Sequence, residues 1–160
     1  MLPLQFVSRE ELAPDIFSFT FTSPTPLAWI AGQSIRLELS GFYGPEERRF
    51  TIASPPSEQQ IVITTRISRS TFKQALLALQ PGNEVKGYDI RGDFVWQEGM
   101  QPKIFLASGI AVTPFHSILA ERVRQGLTIP ATLLHASRTP VYHQELTKYV
   151  QTFSIHNESF

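Results

Sequence analysis

Between residues 15 and 22 the chain reads DIFSFTFT, which sets Phe17, Phe19 and Phe21 against Ser18, Thr20 and Thr22. Successive side chains of a strand point to opposite faces, so an apolar residue at every second position predicts a half-buried β-strand. QSIRLELS (33–40) repeats the pattern with Ile35, Leu37 and Leu39 inward, and QIVITTRI (60–67) and NEVKGYDI (83–90) are further strands. Pro, Gly and Ser punctuation such as SPTP and GFYGP separates them. One helix interrupts the series: STFKQALLAL, expected over 71–79, has Thr71 and Gln74 at capping-box spacing and Pro81-Gly82 as its stop. Five or six short strands with a single helix predict a small antiparallel β-barrel or sandwich.

After WQEGMQP the period changes. KIFLAS (103–108) is a continuous apolar run, the pattern of a parallel strand covered on both faces. Gly109 follows, then Thr113-Pro114 as a helix start, a helix to about Gln125, Gly126 as its end, and a second apolar strand in ATLLHAS (131–137). This is one βαβ crossover, and a further helix near 141–149 and a short strand near 150–155 extend it. The pattern therefore divides the chain into an antiparallel unit over 1–98 and a parallel α/β unit over 99–160.

Composition narrows the chemistry. The 160 residues are 42% hydrophobic and 18% charged, in the range of an ordinary globular protein. Lys plus Arg and Asp plus Glu each number 14, so no global field draws the chain to nucleic acid or to a membrane surface. Without cysteine there is no disulfide, iron–sulfur ligand or thiolate nucleophile, and a redox role requires a borrowed cofactor. MLPLQFVSREEL carries an acidic pair where a signal peptide has its apolar centre, and no apolar run approaches the roughly 18 residues of a membrane span. A cytoplasmic location is expected.

Three stretches carry candidate chemistry. In ERRFTIASPP (47–56) strand alternation places Arg48, Phe50 and Ile52 on one face and Arg49 and Thr51 on the other. A face that is cationic and then aromatic suits a ligand with a phosphate at one end and a flat ring at the other, although an edge strand with solvated arginines gives the same pattern. Arg66, Arg69 and Lys73 lie before and within the first turn of the 71–79 helix, where positive charge opposes the dipole. An anion held by that turn and by the Ser70 and Thr71 hydroxyls explains them; a solvated basic turn is the plain alternative. In LASGIAVTPF (106–115) a glycine closes an apolar strand just before a helix, a turn suited to a pyrophosphate.

In that order, Arg48-x-Phe50-Thr51, SRSTFKQALLALQPGNEV, GDF (92–94) and SGIAVTPF together resemble the ferredoxin–NADP reductase superfamily of flavoprotein oxidoreductases, over roughly residues 1–150. The resemblance implies a fold of class β plus α/β: an FAD-binding antiparallel Greek-key β-barrel with one helix, then a partial Rossmann-like parallel α/β domain that takes NAD(P)H. It implies FAD as cofactor, NAD(P)H as co-substrate, and electrons passing through bound flavin to an acceptor. Arg48 is then expected on the FAD pyrophosphate, Phe50 on the isoalloxazine where the family more often has Tyr, and Thr51, the catalytic position, facing the flavin N5. Thr65 and Arg66 line the cofactor, Ser70 and Thr71 match the phosphate-binding helix start, and Gly109, Thr113 and Pro114 match the nicotinamide-nucleotide loop. Ser137 and Arg138 match the turn on the adenosine side.

Two departures shape the expectation. Ala111 stands where the family usually has a second glycine, and the chain ends after about one and a half βαβ units, without the family's later Cys-Gly-Pro turn and terminal aromatic. A truncated nucleotide domain with an exposed apolar sheet edge is expected, and with it an alternative role: a flavin-binding module without independent turnover, or a subunit completed by a partner chain. A third reading is a barrel binding some other phosphorylated ligand through Arg48, Arg66 and Lys73. His116, His135, His143 and His156 lack metal-ligand spacing and read as packed or surface residues. Glu10-Glu11 and Glu46-Glu47 read as solvated loop charge. Partners are expected to be flavin and nicotinamide nucleotides with a redox partner protein, and not nucleic acid.

Overall fold

The computed structural model describes residues 1–41, 44–99 and 101–155; His156 and residues 42–43 of GFYGP lie outside them. Six strands form one antiparallel sheet: β1 (Leu2–Ala13), β2 (Ile16–Thr22), β3 (Ser34–Gly41), β4 (Gly44–Thr51), β5 (Ile61–Arg66) and β6 (Glu84–Arg91), in the order β4-β3-β6-β1-β2-β5. The two edge strands of that order, β4 and β5, approach each other, and the chain closes the barrel just past the end of β4. After Thr51 the chain leaves β3: the Ile52 N–H still donates to Gln33 C=O at 2.9 Å, but the Ala53 N–H donates to Val62 C=O on β5 at 2.7 Å. β4 ends at Thr51 because the chain there changes partner.

The alternation seen in the sequence is the barrel interior. Ile35 and Leu37 of β3 and Phe19 and Phe21 of β2 are fully buried, and Phe6 of β1 joins them with its ring centre 5.6 Å from that of Phe21. Helix α1 (Thr71–Ala78) caps the interior with Phe72 and Leu76, each fully buried and each contributing about 1.5–3 kcal/mol by leaving water. β1 is a strand the alternation does not predict, since past Leu4 and Phe6 its residues are exposed through Glu11. Glu10 and Glu11 are therefore strand residues, paired with Ser18 and Phe17, and not loop charge.

The second sheet is parallel: β7 (Lys103–Ser108), β8 (Ala131–Ala136) and β9 (Gln151–Ile155), in the order β7-β8-β9. A 3₁₀ turn (Gly109–Val112) leads into α2 (Thr113–Arg124), and α3 (His143–Tyr149) precedes β9. These are the barrel and the parallel α/β unit expected from the pattern change, in the partial Rossmann-like arrangement that the resemblance implies. KIFLAS departs from expectation. Ala107 faces a core with Phe115, Leu119, Leu133 and Leu146, but Ile104 is 71% and Leu106 69% exposed. Among the described residues, helices cover one face of this sheet only.

The connection between the sheets is fixed by Trp96. The Lys103 ammonium lies 4.5 Å and the Arg122 guanidinium 4.0 Å from its ring centre, and Arg122 also pairs with Glu98 at 2.9 Å.

Candidate functional site

Antiparallel register decides where each β4 side chain points. Arg48 is opposite Leu37 and Phe50 opposite Ile35, so both share the side of the sheet that faces the interior. They escape burial because β4 is an edge and α1 stands beside it. Phe50 is half-buried with its ring centre 5.7 Å from that of Phe72, and the Arg48 guanidinium lies 5.8 Å from the same ring. Arg48 thus projects toward the start of α1 over an aromatic floor.

Glu46 belongs to this face too. One carboxylate oxygen accepts from the Arg48 guanidinium at 3.3 Å and the other accepts from the Thr71 hydroxyl. A carboxylate therefore bridges the strand cation and the first turn of the helix, a position suited to an anion. Glu46 is not solvated loop charge, and neither is Glu47, which pairs across the strands with Arg36 at 3.1 Å.

The other face of β4 carries Arg49, which has a structural assignment. It donates to Asp89 through the carboxylate at 2.6 Å and the carbonyl at 2.9 Å, and to the Ser34 hydroxyl at 3.2 Å. Asp89 has φ of 53°, beside a register irregularity between β3 and β6, so Arg49 ties down a bulge.

The start of α1 differs from the capping-box expectation. Ser70 is the N-cap, its hydroxyl accepting from the Lys73 N–H at 3.4 Å, and this leaves the Thr71 hydroxyl for Glu46. Gln74 does not reach back to the cap; its amide donates to Ser68 C=O at 2.8 Å. Lys73 turns away from the slot and donates to Arg66 C=O at 2.6 Å. Thr65 is buried and Arg66 exposed at the end of β5.

The second group of predicted residues lies at the C-terminal ends of the parallel strands. Ser108 pairs with Ala136, so Gly109 and Ser137 each begin the turn just beyond neighbouring strand ends. Gly109 has φ of 53°, which calls for glycine there, and the space that a Cβ would occupy is open. Ala111 is exposed, and Thr113 is buried at the start of α2 with Pro114 after it. The Ser137 hydroxyl accepts from the Thr139 N–H at 3.2 Å, while Arg138 is exposed. Because the Gly109–Val112 turn packs against both β5 and β8, it adjoins the strand that carries Thr65 and Arg66.

Sequence reasoning missed what fastens the two sheets together. On α2, one His116 ring nitrogen (Nδ1) is 2.8 Å from Ala53 C=O and the other (Nε2) 2.6 Å from the Glu145 carboxylate, and Ser117 donates to Ser54 C=O at 2.8 Å. The His116 ring stacks on Tyr142 at 3.9 Å, and the Tyr142 hydroxyl bonds that of Thr64 on β5. Burial pushes the Tyr142 phenol up to about 12, and the bond to His116 holds the Glu145 carboxyl below its ordinary value. These contacts hold Ala53 and Ser54, two and three residues after Thr51. The available signal was a His-Ser pair inside the apolar run AVTPFHSILA. Beside this joint is a cleft of about 690 Å³ lined by Glu10, Ser18, Ser54, His116, Tyr142 and Glu145. None of the sequence-predicted site residues lines it.

No family model matches the chain. It is 28% identical over 150 residues to ferredoxin–NADP reductase B of Sorangium cellulosum, across 89% of this chain and 62% of that protein. It is 23% identical over 112 residues to the flavohemoprotein of Deinococcus radiodurans, across 69% of this chain and 28% of that one. The chain thus spans less than two thirds of the length of either relative. In fold it is similar to the FAD/NAD-binding domain of a nitric oxide dioxygenase from Vibrio cholerae, with a TM-score of 0.88 at 17% identity over 99% of this chain and 75% of that one. A ferredoxin–NADP⁺ reductase from Neisseria gonorrhoeae with bound FAD and NADP gives a TM-score of 0.82 at 16% identity, over 99% and 69% of the two chains. The chain is thus similar in sequence, along most of its length, to ferredoxin–NADP reductase-type proteins, and it shares their arrangement of barrel and parallel sheet.

Proposed function

We propose that the chain is an FAD-dependent oxidoreductase unit that moves electrons from NAD(P)H to an acceptor, with residues 1–98 holding flavin and 99–160 receiving the nicotinamide nucleotide. The observation that carries this reading is the Arg48 guanidinium and Thr71 hydroxyl converging on one carboxylate beside the Phe50 ring. Two donors that hold a carboxylate in this way also fit a phosphate oxygen, and Arg48 is suited to it by its fixed donor fork. Arg48, Ser70 and Thr71 would therefore hold the pyrophosphate, with Thr65 and Arg66 along the same wall.

Phe50 offers a flat apolar face to a ring system, and Thr51 stands where β4 stops, so that its hydroxyl and N–H are not committed to a continuing strand. FAD bound here would accept a hydride and hand electrons on. Gly109, Thr113 and Pro114, with Ser137 and Arg138 on the neighbouring turn, would receive the nucleotide at the carboxyl ends of the strands, the usual place for a ligand in a parallel sheet. His116 and Ser117 fix Ala53 and Ser54, and through them set the position of Thr51 relative to α2. Relatives described as a reductase and a flavohemoprotein support a redox partner as the electron acceptor.

An anaerobic absorbance titration tests the proposal. The purified protein is expected to be yellow, or to become so with FAD, and to bleach on addition of NADH or NADPH. Failure to take up FAD sinks it. The exposed Ile104 and Leu106 favour a second reading, in which the flavin module turns over only when another chain covers that sheet face. It predicts FAD binding without bleaching, and bleaching by this chain alone rules it out.

A further inference from the structure

We propose that Glu46 is a built-in competitor for the phosphate slot, so that an anionic ligand enters by displacing its carboxylate and binds more weakly than the slot alone would allow. This rests on the reading of Arg48 and Thr71 as phosphate ligands. Alternation on β4 places Glu46 on the same face as Arg48, two residues before it, and the register sets it opposite Leu39. Its side chain is 22% exposed against 42% for Glu47, and it spans two elements, with one oxygen on the strand guanidinium and the other on the helix hydroxyl. Those two donors are the ones a phosphate oxygen pair would take.

Carboxylate and phosphate are both anions at neutral pH, so they cannot share the slot without mutual repulsion. Nor does Arg48 depend on Glu46 for its direction. It also donates to Glu47 C=O at 2.7 Å and lies against Phe72, so the guanidinium remains aimed at the slot after the carboxylate has swung away. The Glu47 side chain, on the opposite face and paired with Arg36, changes the local charge equally but its carboxylate touches neither donor, which makes it the control.

The test is a titration of the flavin-free protein with FAD, followed by quenching of flavin fluorescence, in the parent, Glu46→Gln and Glu47→Gln. Gln keeps an oxygen for Thr71 and removes the charge. Removing one partly exposed ion pair from the free state predicts a Kd about fivefold lower for Glu46→Gln, with Glu47→Gln within about twofold of the parent. ADP, which carries the pyrophosphate without the flavin, is expected to gain in the same ratio when it competes with FAD. Equal or weaker binding by Glu46→Gln, or an equal gain in Glu47→Gln, overturns the competitor role while leaving the flavin site standing. No quenching in any of the three proteins overturns the flavin site as well. Circular dichroism of each variant checks that the barrel is intact, and Glu46→Ala gives the same comparison if Glu46→Gln fails to fold.

Discussion

The barrel and the parallel sheet use the same apolar residues to different ends. Ile35 and Leu37 on β3 are fully buried, whereas Ile104 and Leu106, at the same two-residue spacing on β7, are more than two-thirds exposed. The difference is architectural. A sheet that closes on itself gives every strand an interior, and α1 finishes it, but a layered sheet gives a strand only as many buried faces as there are helices laid upon it. Of the two, the barrel is the closed half and the sheet the half with surface to spare. They are joined through polar groups: His116 and Ser117 on α2 reach Ala53 and Ser54, and Tyr142 just before α3 reaches Thr64.

The largest expected effect lies where the start of β3 packs against the Phe94 backbone and α2. Gly32, just before β3, has φ of 97°, and a Cβ there would stand 2.0 Å from Phe94 C=O and 2.9 Å from Ile118 on α2. The obstruction is backbone on one side and a packed side chain on the other, so Gly32→Ala is expected to cost about 4 kcal/mol in urea unfolding. A loss below about 1 kcal/mol would mean that the barrel and α2 yield to each other easily, and the picture of two halves held at a close-packed joint would fail.

Next comes a matched pair of truncations. Leu37→Ala leaves a void in a closed interior and is expected to cost about 3 kcal/mol, whereas Leu106→Ala removes atoms already in water and is expected to change stability by less than about 0.5 kcal/mol. Equal losses would show that the open face of the sheet is covered in solution. Repeating the pair over a range of protein concentration separates covering by a second copy from covering within one chain.

How much of this was legible in the sequence follows from the same contrast. Phe19, Phe21, Ile35 and Leu37 announced themselves because alternation is a property of the strand alone. β7 misled, because an unbroken apolar run states what a strand could bury and not how many helices cover it. Arg48 and Phe50 were readable as a pair since one strand carries both. By contrast, Arg49 could not be told from surface charge until β6 brought Asp89 beside it. Glu46 looked like loop charge because its partners, Arg48 and Thr71, meet only after α1 folds against the edge of β4. His116 was invisible for the opposite reason: the helix around it is apolar, and the Ala53 carbonyl and Glu145 carboxylate lie on separate parts of the chain.

The smallest expected effect tests the sheet half through pH. His135 on β8 is fully buried; its Nε2 lies 2.9 Å from Gly109 C=O, and its Nδ1 has no partner among the described residues. A carbonyl only accepts, so Nε2 carries the proton, and Nδ1 would need one more to become charged. Burial holds the ring below the ordinary histidine value near 6.5, with His143 adding to the depression. In the unfolded chain the ring takes up a proton that the folded one refuses. Stability from this residue is therefore complete above about 6.5 and declines as pH falls toward the lowered folded value. One proton sets the limit at about 1.4 kcal/mol per pH unit, and half-titration makes the observed slope smaller. Urea unfolding from pH 7.5 to 5.5 should show this decline in the parent and a flatter one in His135→Gln. Parallel slopes in the two proteins would mean that the sheet opens enough to hydrate His135, and that the Gly109 turn it holds is no firmer than the open face above it.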